Sequence, residues 1–256
     1  MIFYFSGTGN TKWAAELLAG RTDDVLTDIS KVEDGSFRYT LKPGERIGFC
    51  FPVHGWRPPL IFRNFIRRLV IDNPQDHYSY ALCTAGDTVG EAVDILKSDL
   101  KAVGLHLDSG FSLIMPESYV GLPFMDVDTP EREKQKKEKA AADLERFCEL
   151  IKGCEKGAWE ITTGRWPRIN SRVIGGFFTR HLITDKPFRV VSDRCIGCGR
   201  CVKACPVGNV LLPNGEQPDW KRNGTCLACF ACYHHCPTHA IEYGNRTRKK
   251  GQYYFK

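Results

Sequence analysis

The sequence has no apolar run near the roughly 18–20 residues that crossing a bilayer requires, so nothing in it reads as a membrane span. Its first residues, Met1-Ile2-Phe3-Tyr4-Phe5, show neither a basic leader nor a small-residue cleavage site, and the expectation is a cytoplasmic chain. No acid–base or nucleophile constellation stands out, and no G-x-G-x-x-G fingerprint for a dinucleotide is present. Cysteine, by contrast, is abundant, with twelve in 256 residues. The cytoplasm keeps thiols reduced, so this count points to metal or redox chemistry and away from disulfides. Apolar residues at 42% and charged residues at 26% exclude a wholly disordered chain. A formal charge of +6 is too small by itself to argue for nucleic acid, and no nucleic-acid partner is expected.

The first part of the chain alternates short apolar runs with helical patterns. Ile2–Phe5, Val25–Ile29, Ile47–Phe51, Tyr78–Cys83 and Phe111–Met115 read as strands, and Thr11–Ala19 and Glu91–Val103 as helices. From Leu60 to Val70, the apolar set Leu60, Ile61, Phe62, Phe65, Ile66, Leu69 and Val70 falls on one helical face opposite Arg63, Asn64, Arg67 and Arg68. Strands alternating with helices mean βαβ units and a largely parallel sheet. Thr129-Pro130-Glu131 opens a long charged helix, with Thr129 as N-cap and Pro130 in the first turn. Residues 153–186 read as a connection in which Ser171–Ile183 forms a short helix packing one domain onto the other. The expected division is 1–152, 153–186 and 187–256.

Cysteine usage supports that division. Cys50, Cys83, Cys148 and Cys154 are scattered and read as structural, whereas eight cysteines crowd between 195 and 236. Cys195, Cys198, Cys201 and Cys205, followed by Pro206, repeat 31 residues later as Cys226, Cys229, Cys232 and Cys236, followed by Pro237. Three cysteines at two-residue intervals on a tight loop can turn three thiolates toward three irons of one cubane, while the fourth is carried away by the Pro-terminated turn. Zinc sites more often show two CxxC pairs separated by a long stretch, so iron–sulfur outweighs zinc. His234 and His235 read as exposed turn residues, because a tetrathiolate set is complete without them. Residues 187–245 resemble a bacterial-type 2[4Fe-4S] ferredoxin domain. The resemblance implies one cluster on Cys195, Cys198, Cys201 and Cys236 and a second on Cys226, Cys229, Cys232 and Cys205.

A second motif follows the first strand: Ser6-Gly7-Thr8-Gly9-Asn10-Thr11, running into a helix. Hydroxyls, small glycines and a helix N-terminus together make an anion cradle, and the absence of a Lys-Ser/Thr ending separates it from a Walker A loop. The loop resembles the FMN phosphate loop of flavodoxins, and the βα alternation fits their sheet order 2-1-3-4-5. That resemblance implies an isoalloxazine ring between two further loops, touched by Pro52, Val53, His54, Gly55 and Trp56 on one side and Thr84, Ala85, Gly86 and Asp87 on the other. Trp56 would stack on the flavin. The loop after the fourth strand holds no aromatic, so Tyr119 either covers the outer flavin face or leaves it open to the cluster domain.

The whole chain resembles flavodoxin–ferredoxin fusion proteins of anaerobes, which implies a doubly wound α/β domain followed by a small α+β 2[4Fe-4S] domain. A cubane moves one electron and FMN holds one or two, so the expected role is electron transfer coupling FMN to two [4Fe-4S] clusters. An FMN-dependent reductase of a small molecule is the alternative, leaving open whether the protein is carrier or oxidoreductase. Two cubanes at roughly −2 each and a flavin phosphate offset most of the +6 charge. The expected partner is a redox protein (a ferredoxin, flavodoxin or oxidoreductase). The basic tail Arg246–Lys250 reads either as a dock for it or as a solubilising end.

Overall fold

A computed structural model of the chain describes residues 1–32, 37–75 and 77–256, with Asn214 described in its backbone only. In chain order the first elements are β1 (Ile2–Tyr4), α1 (Asn10–Thr22), β2 (Leu26–Asp28), β3 (Arg38–Tyr39) and β4 (Ile47–Pro52). Next come α2 (Leu60–Arg68), β5 (Val70–Ile71), β6 (Ser79–Ala85), α3 (Ala92–Lys101), β7 (Ser109–Ile114), α4 (Pro130–Lys152) and β8 (Trp159–Glu160). Six of the strands form one sheet in the order β2-β1-β4-β6-β7-β8, every neighbouring pair parallel. With the two-residue pair β3–β5 set apart, the five long-expected strands stand in the doubly wound order 2-1-3-4-5, with the switch point between β1 and β4.

Both faces of this sheet are buried, which explains why its strands read as unbroken apolar runs. Side chains alternate along β1 and just past it. Phe3 and Phe5 enter a core with Phe49, Phe51, Phe62, Phe65, Ile66 and Leu96, while Ile2 and Tyr4 enter one with Leu18, Leu82, Leu113, Leu144 and Phe147. The first core lies under α2 and α3, the second under α1 and α4. α2 turns Phe62, Phe65 and Ile66 inward and holds itself to α3 through Arg63, which donates to both Asp99 oxygens at 2.6 and 2.8 Å. α4 begins at the Thr129 cap with Pro130 in its first turn, as its sequence requires.

β8 lies inside the stretch expected to be a plain connection. A two-residue strand leaves no periodic signature, and its docking depends on Gly110 of β7, where an added Cβ would stand 2.8 Å from the Trp159 ring. A π-helical turn, Ile169–Ile174, then runs into α5 (Gly175–His181). Ser171 of this segment is buried, and its Oγ accepts from the Glu91 N–H at 2.8 Å, which ties the segment to the start of α3.

The C-terminal module contains β9 (Phe188–Val190), α6 (Arg200–Ala204), β10 (Val210–Leu211), β11 (Asp219–Trp220), α7 (Ala231–His234) and β12 (Ile241–Tyr243). β12 pairs antiparallel with β9 and β10 with β11, around a core of Phe188, Val210, Trp220, Phe230, Tyr233, Ile241 and Tyr243. Among the described residues no helix is long and apolar enough to cross a membrane.

The basic tail is anchored to the first domain, with Arg248 and Lys249 left exposed. Lys250 donates to the carbonyls of Val120, Leu122 and Met125, Arg246 donates to the Gly121 carbonyl at 3.0 Å, and Thr247 is buried. The carbonyls it meets belong to the segment after β7, so cationic residues are spent on capping a loop of the first domain. Lys250→Met is expected to cost about 2–3 kcal/mol in chemical denaturation, because charged donors to several carbonyls are lost at once. Exposed Lys249→Met is expected to change stability by less than about 0.5 kcal/mol.

Candidate functional site

The duplicated cysteine motif is duplicated in backbone conformation as well. Gly197 and Ala228 (φ 63° and 48°), Gly199 and Phe230 (68° and 60°), and Gly208 and His239 (57° and 50°) all take left-handed conformations. The members of each pair lie 31 residues apart. The left-handed residues at 199 and 230 immediately precede α6 and α7. Such turns fold the loop tightly enough for backbone N–H groups to reach sulfur. Asn209 N–H donates to Cys205 Sγ at 3.1 Å and Ala240 N–H to Cys236 Sγ at 3.2 Å, again equivalent positions, and Ala228 N–H donates to Cys226 Sγ at 3.4 Å.

The eight cysteines sort into two cavities. One is lined by Cys195, Cys198, Cys201 and Cys236; the other by Cys205, Cys226, Cys229 and Cys232. Each cavity therefore takes three cysteines from one repeat and the fourth from the other. Among the described residues no three Cys, His, Asp or Glu side chains gather closely enough to hold a single metal ion. The thiols surround a space instead, which suits a multi-atom cluster better than zinc. The buried indole N–H of Trp220 lines the second cavity and faces the Cys232 thiol, a donor suited to cluster sulfur. Burial pushes the thiols of Cys201 and Cys226 up to about 11 and that of Cys229 to about 12, so they keep their protons at neutral pH unless a metal displaces them.

The two cavities differ in access. Cys198 is exposed and its neighbour Ile196 is 66% exposed, so the first cavity opens at the surface. The second faces the first domain: Leu227 belongs to the large core beneath α2 and α3, and Val207 packs against it. His234 is buried, not exposed. Its Nδ1 accepts from the Tyr253 N–H at 3.1 Å, so its Nε2–H donates to the Ser118 carbonyl at 2.7 Å, and burial lowers its pKa to about 4. His235 is half-buried and stacks on Tyr254. Repeat periodicity alone could not reveal these partners, which come from the opposite domain and from the last residues of the chain.

The Ser6–Thr11 turn sits at the C-terminal edge of the sheet, where β1 meets α1. Its side-chain polar groups are engaged. Gly9 N–H donates to Ser6 Oγ, Thr8 Oγ1 donates to Ser118 Oγ, and Thr11 and Thr84 share a hydroxyl hydrogen bond of 2.7 Å. Asn10 donates to the Pro116 carbonyl and accepts from the Tyr253 hydroxyl at 2.6 Å. Covering the turn are Cys229, whose Cβ is 2.9 Å from where a Gly7 Cβ would stand, and Phe255, 3.0 Å from the corresponding point on Gly9. Phe255 also donates its N–H to the Thr8 carbonyl and stacks on Trp13.

The other expected flavin contacts are likewise in contact with the chain itself. Trp56 donates its indole N–H to Thr88, spanning the two loops that were expected to flank a ring. An added Cβ on Gly55 would stand 2.7 Å from the Phe178 ring of α5, and Gly175 lies directly on the Gly55 carbonyl. Gly86 faces the buried Glu117 carboxylate and accepts from Lys136 through its carbonyl. Val53 donates to the Thr84 carbonyl, Pro52 and Ala85 end their strands half-buried, and Asp87 is exposed. Burial lowers the pKa of His54 to about 4. Tyr119 meets Phe178 and Phe230 edge-on, each at 5.3 Å between centroids. The donor set of the turn suits a phosphate; in this arrangement Cys229 and Phe255 stand over its glycines.

A parallel doubly wound sheet joined to a cysteine-walled iron–sulfur module defines the class of protein. Residues 188–249 match the model of the 4Fe-4S dicluster domain. An uncharacterized ferredoxin of Methanocaldococcus jannaschii is 37% identical over 54 residues, covering 20% of this chain and 70% of that protein. The formate dehydrogenase iron-sulfur subunit of Haemophilus influenzae is 37% identical over 68 residues, 23% of this chain but only 20% of the subunit. Among solved structures, rubredoxin oxygen:oxidoreductase of Desulfovibrio gigas aligns over 57% of this chain and 35% of its own, at 18% identity and a TM-score of 0.31. The flavodiiron core of Synechocystis aligns over 59% and 36%, at 16% identity and a TM-score of 0.33. Those scores carry no weight, and the flavodoxin-like assignment rests on strand order. The C-terminal module belongs with the 4Fe-4S dicluster ferredoxins, and it follows a parallel sheet in the flavodoxin strand order, the layout of a flavodoxin–ferredoxin fusion.

The crossed sorting of cysteines makes a specific prediction. Cys205→Ser, which removes a first-repeat cysteine, is expected to damage the cluster of the second repeat, and Cys236→Ser that of the first. Iron counting and EPR on anaerobically prepared protein check this: Cys205→Ser should retain the cluster of the first cavity and lose that of the second.

Proposed function

We propose that this protein is an electron carrier whose redox groups are two [4Fe-4S] clusters. One is held by Cys195, Cys198, Cys201 and Cys236, the other by Cys205, Cys226, Cys229 and Cys232. The observation that carries this reading is the sorting of all eight cysteines into two cavities, each completed by the opposite repeat. Each cluster, when bound, supplies one-electron chemistry. The chain's residues do the rest: N–H groups of Asn209, Ala228 and Ala240 stabilise sulfur charge, and Trp220 offers a further donor. A partner redox protein exchanges electrons at the exposed rim of Ile196 and Cys198. The second cluster lies against the flavodoxin-like domain, beside Leu227 and Val207.

A second reading couples the clusters to FMN, adapting one-electron carriers to a two-electron centre. The chemistry of the Ser6–Thr11 turn favours it, whereas the cover of Cys229 and Phe255 over that turn weighs against it. A small-molecule reductase would also need open space beside His54, Trp56 and Tyr119, where Phe178 and Phe230 stand.

Anaerobic purification followed by iron and flavin quantitation, with EPR of the dithionite-reduced protein, tests this directly. About eight irons per chain and a spectrum of two interacting reduced clusters are expected. Four irons, or the signal of one isolated cluster, would overturn the two-cluster reading. Stoichiometric FMN in the same preparation would replace the carrier with the flavin-coupled reading.

A further inference from the structure

The Ser6–Thr11 turn has the make-up of an anion cradle but is in contact with its own chain. Three independent sets of contacts converge on it. Gly7 meets Cys229, with an added Cβ 2.9 Å from Cys229 Cβ and 3.5 Å from its sulfur. Gly9 takes the left-handed φ of 100° and lies under the backbone of Phe255, whose N–H donates to the Thr8 carbonyl at 2.8 Å. Asn10, whose side chain is buried, accepts from the Tyr253 hydroxyl. The last residues are themselves held from both sides. Trp13 of α1 stacks on Phe255 at 4.9 Å, the Lys137 ammonium of α4 lies over the rings of Tyr253 and Phe255, and His234 accepts from the Tyr253 N–H.

We propose that in this chain the turn is the seat of the second cluster's loop and of the C-terminal segment, and that this cover and the phosphate of FMN compete for it. The inference rests on the two-cluster reading and adds to it a role for the flavodoxin-like domain. Its ligand edge, built to face an anion through α1's positive end and small residues, receives the anionic cluster loop through Cys229. Gly7 is then a positioning residue for the second cluster. Its φ lies outside the left-handed region, so alanine has no backbone penalty there; only the approach of Cys229 forbids a side chain.

The test uses full-length protein reconstituted anaerobically. Gly7→Ala forces Cys229 to move, so the EPR contribution of the second cluster is expected to shift or vanish and iron to fall from about eight toward about four. Gly20→Ala in α1, where nothing lies within 4 Å of the added methyl, is the control and should leave both unchanged. Should Gly7→Ala fail to fold, the wild type decides alone: it is titrated with FMN while flavin fluorescence and hydrogen exchange at the Phe255 amide are followed. No uptake, or uptake only as that amide loses protection, supports the competition. One-to-one FMN uptake with the Phe255 amide still protected and both cluster signals unchanged overturns it, as does a Gly7→Ala protein with unaltered iron and EPR. A wild-type iron count of about four would instead strike the two-cluster reading, so the two failures are distinguishable.

Discussion

A buried thiolate without a nearby positive centre is too costly to exist, and of the eight cysteines in the C-terminal module three are buried and four half-buried. Desolvation holds Cys201, Cys226 and Cys229 in the protonated form, so the charge they need for ligation must arrive with metal. The module is small, and its aromatic core of Phe188, Trp220, Phe230, Tyr233 and Tyr243 wraps around the cavities instead of filling them. The left-handed turns, the N–H groups aimed at sulfur and the Trp220 indole beside Cys232 suit a body with negative charge to be shared.

The same electrostatics explains where the module docks. The C-terminal edge of a parallel sheet collects loop N–H groups and helix N-termini, and so favours anions at the switch point between β1 and β4. A phosphate dianion and a thiolate-ligated cubane are both anions of similar charge. An edge suited to one is suited to the other, and what selects between them is shape. Gly7, without a side chain, lets the Cys229 loop approach to van der Waals contact, and Gly9 does the same for Phe255. The carbonyls after β7 are meanwhile occupied by Lys250 and Arg246, so the tail is fastened at both ends of its path.

Much of this was legible in the sequence. The parallel sheet followed from βα alternation because both its faces are buried, its strand order from the flavodoxin resemblance, and the Thr129-Pro130 helix start from capping chemistry. The crossed grouping of cysteines followed from the spacing read with the ferredoxin resemblance. Features created by contacts between distant segments were not legible. Trp159–Glu160 is too short to show periodicity, and His234 is buried only because Ser118 and Tyr253 arrive from elsewhere. The turn at Ser6–Thr11 was readable as an anion cradle, but whether a ligand or the chain itself lies over it depends on residues more than 200 positions away.

The divergence of the two repeats points the same way. Where the first repeat places Gly197, Gly199 and Gly208 in left-handed conformations, the second places Ala228, Phe230 and His239, each bearing a backbone cost of about 1–2 kcal/mol that glycine avoids. Such a cost persists only where the side chain returns more than it takes. Phe230 does so: its ring meets Tyr119 of the first domain, Phe188 and Tyr243, and it is fully buried. Ala228 is buried as well, whereas its counterpart Gly197 lies on the exposed rim beside Ile196. Gly199, the counterpart of Phe230, has no side chain with which to make such a contact, so the difference between the repeats at this position is what joins the second cysteine loop to Tyr119 of the flavodoxin-like domain.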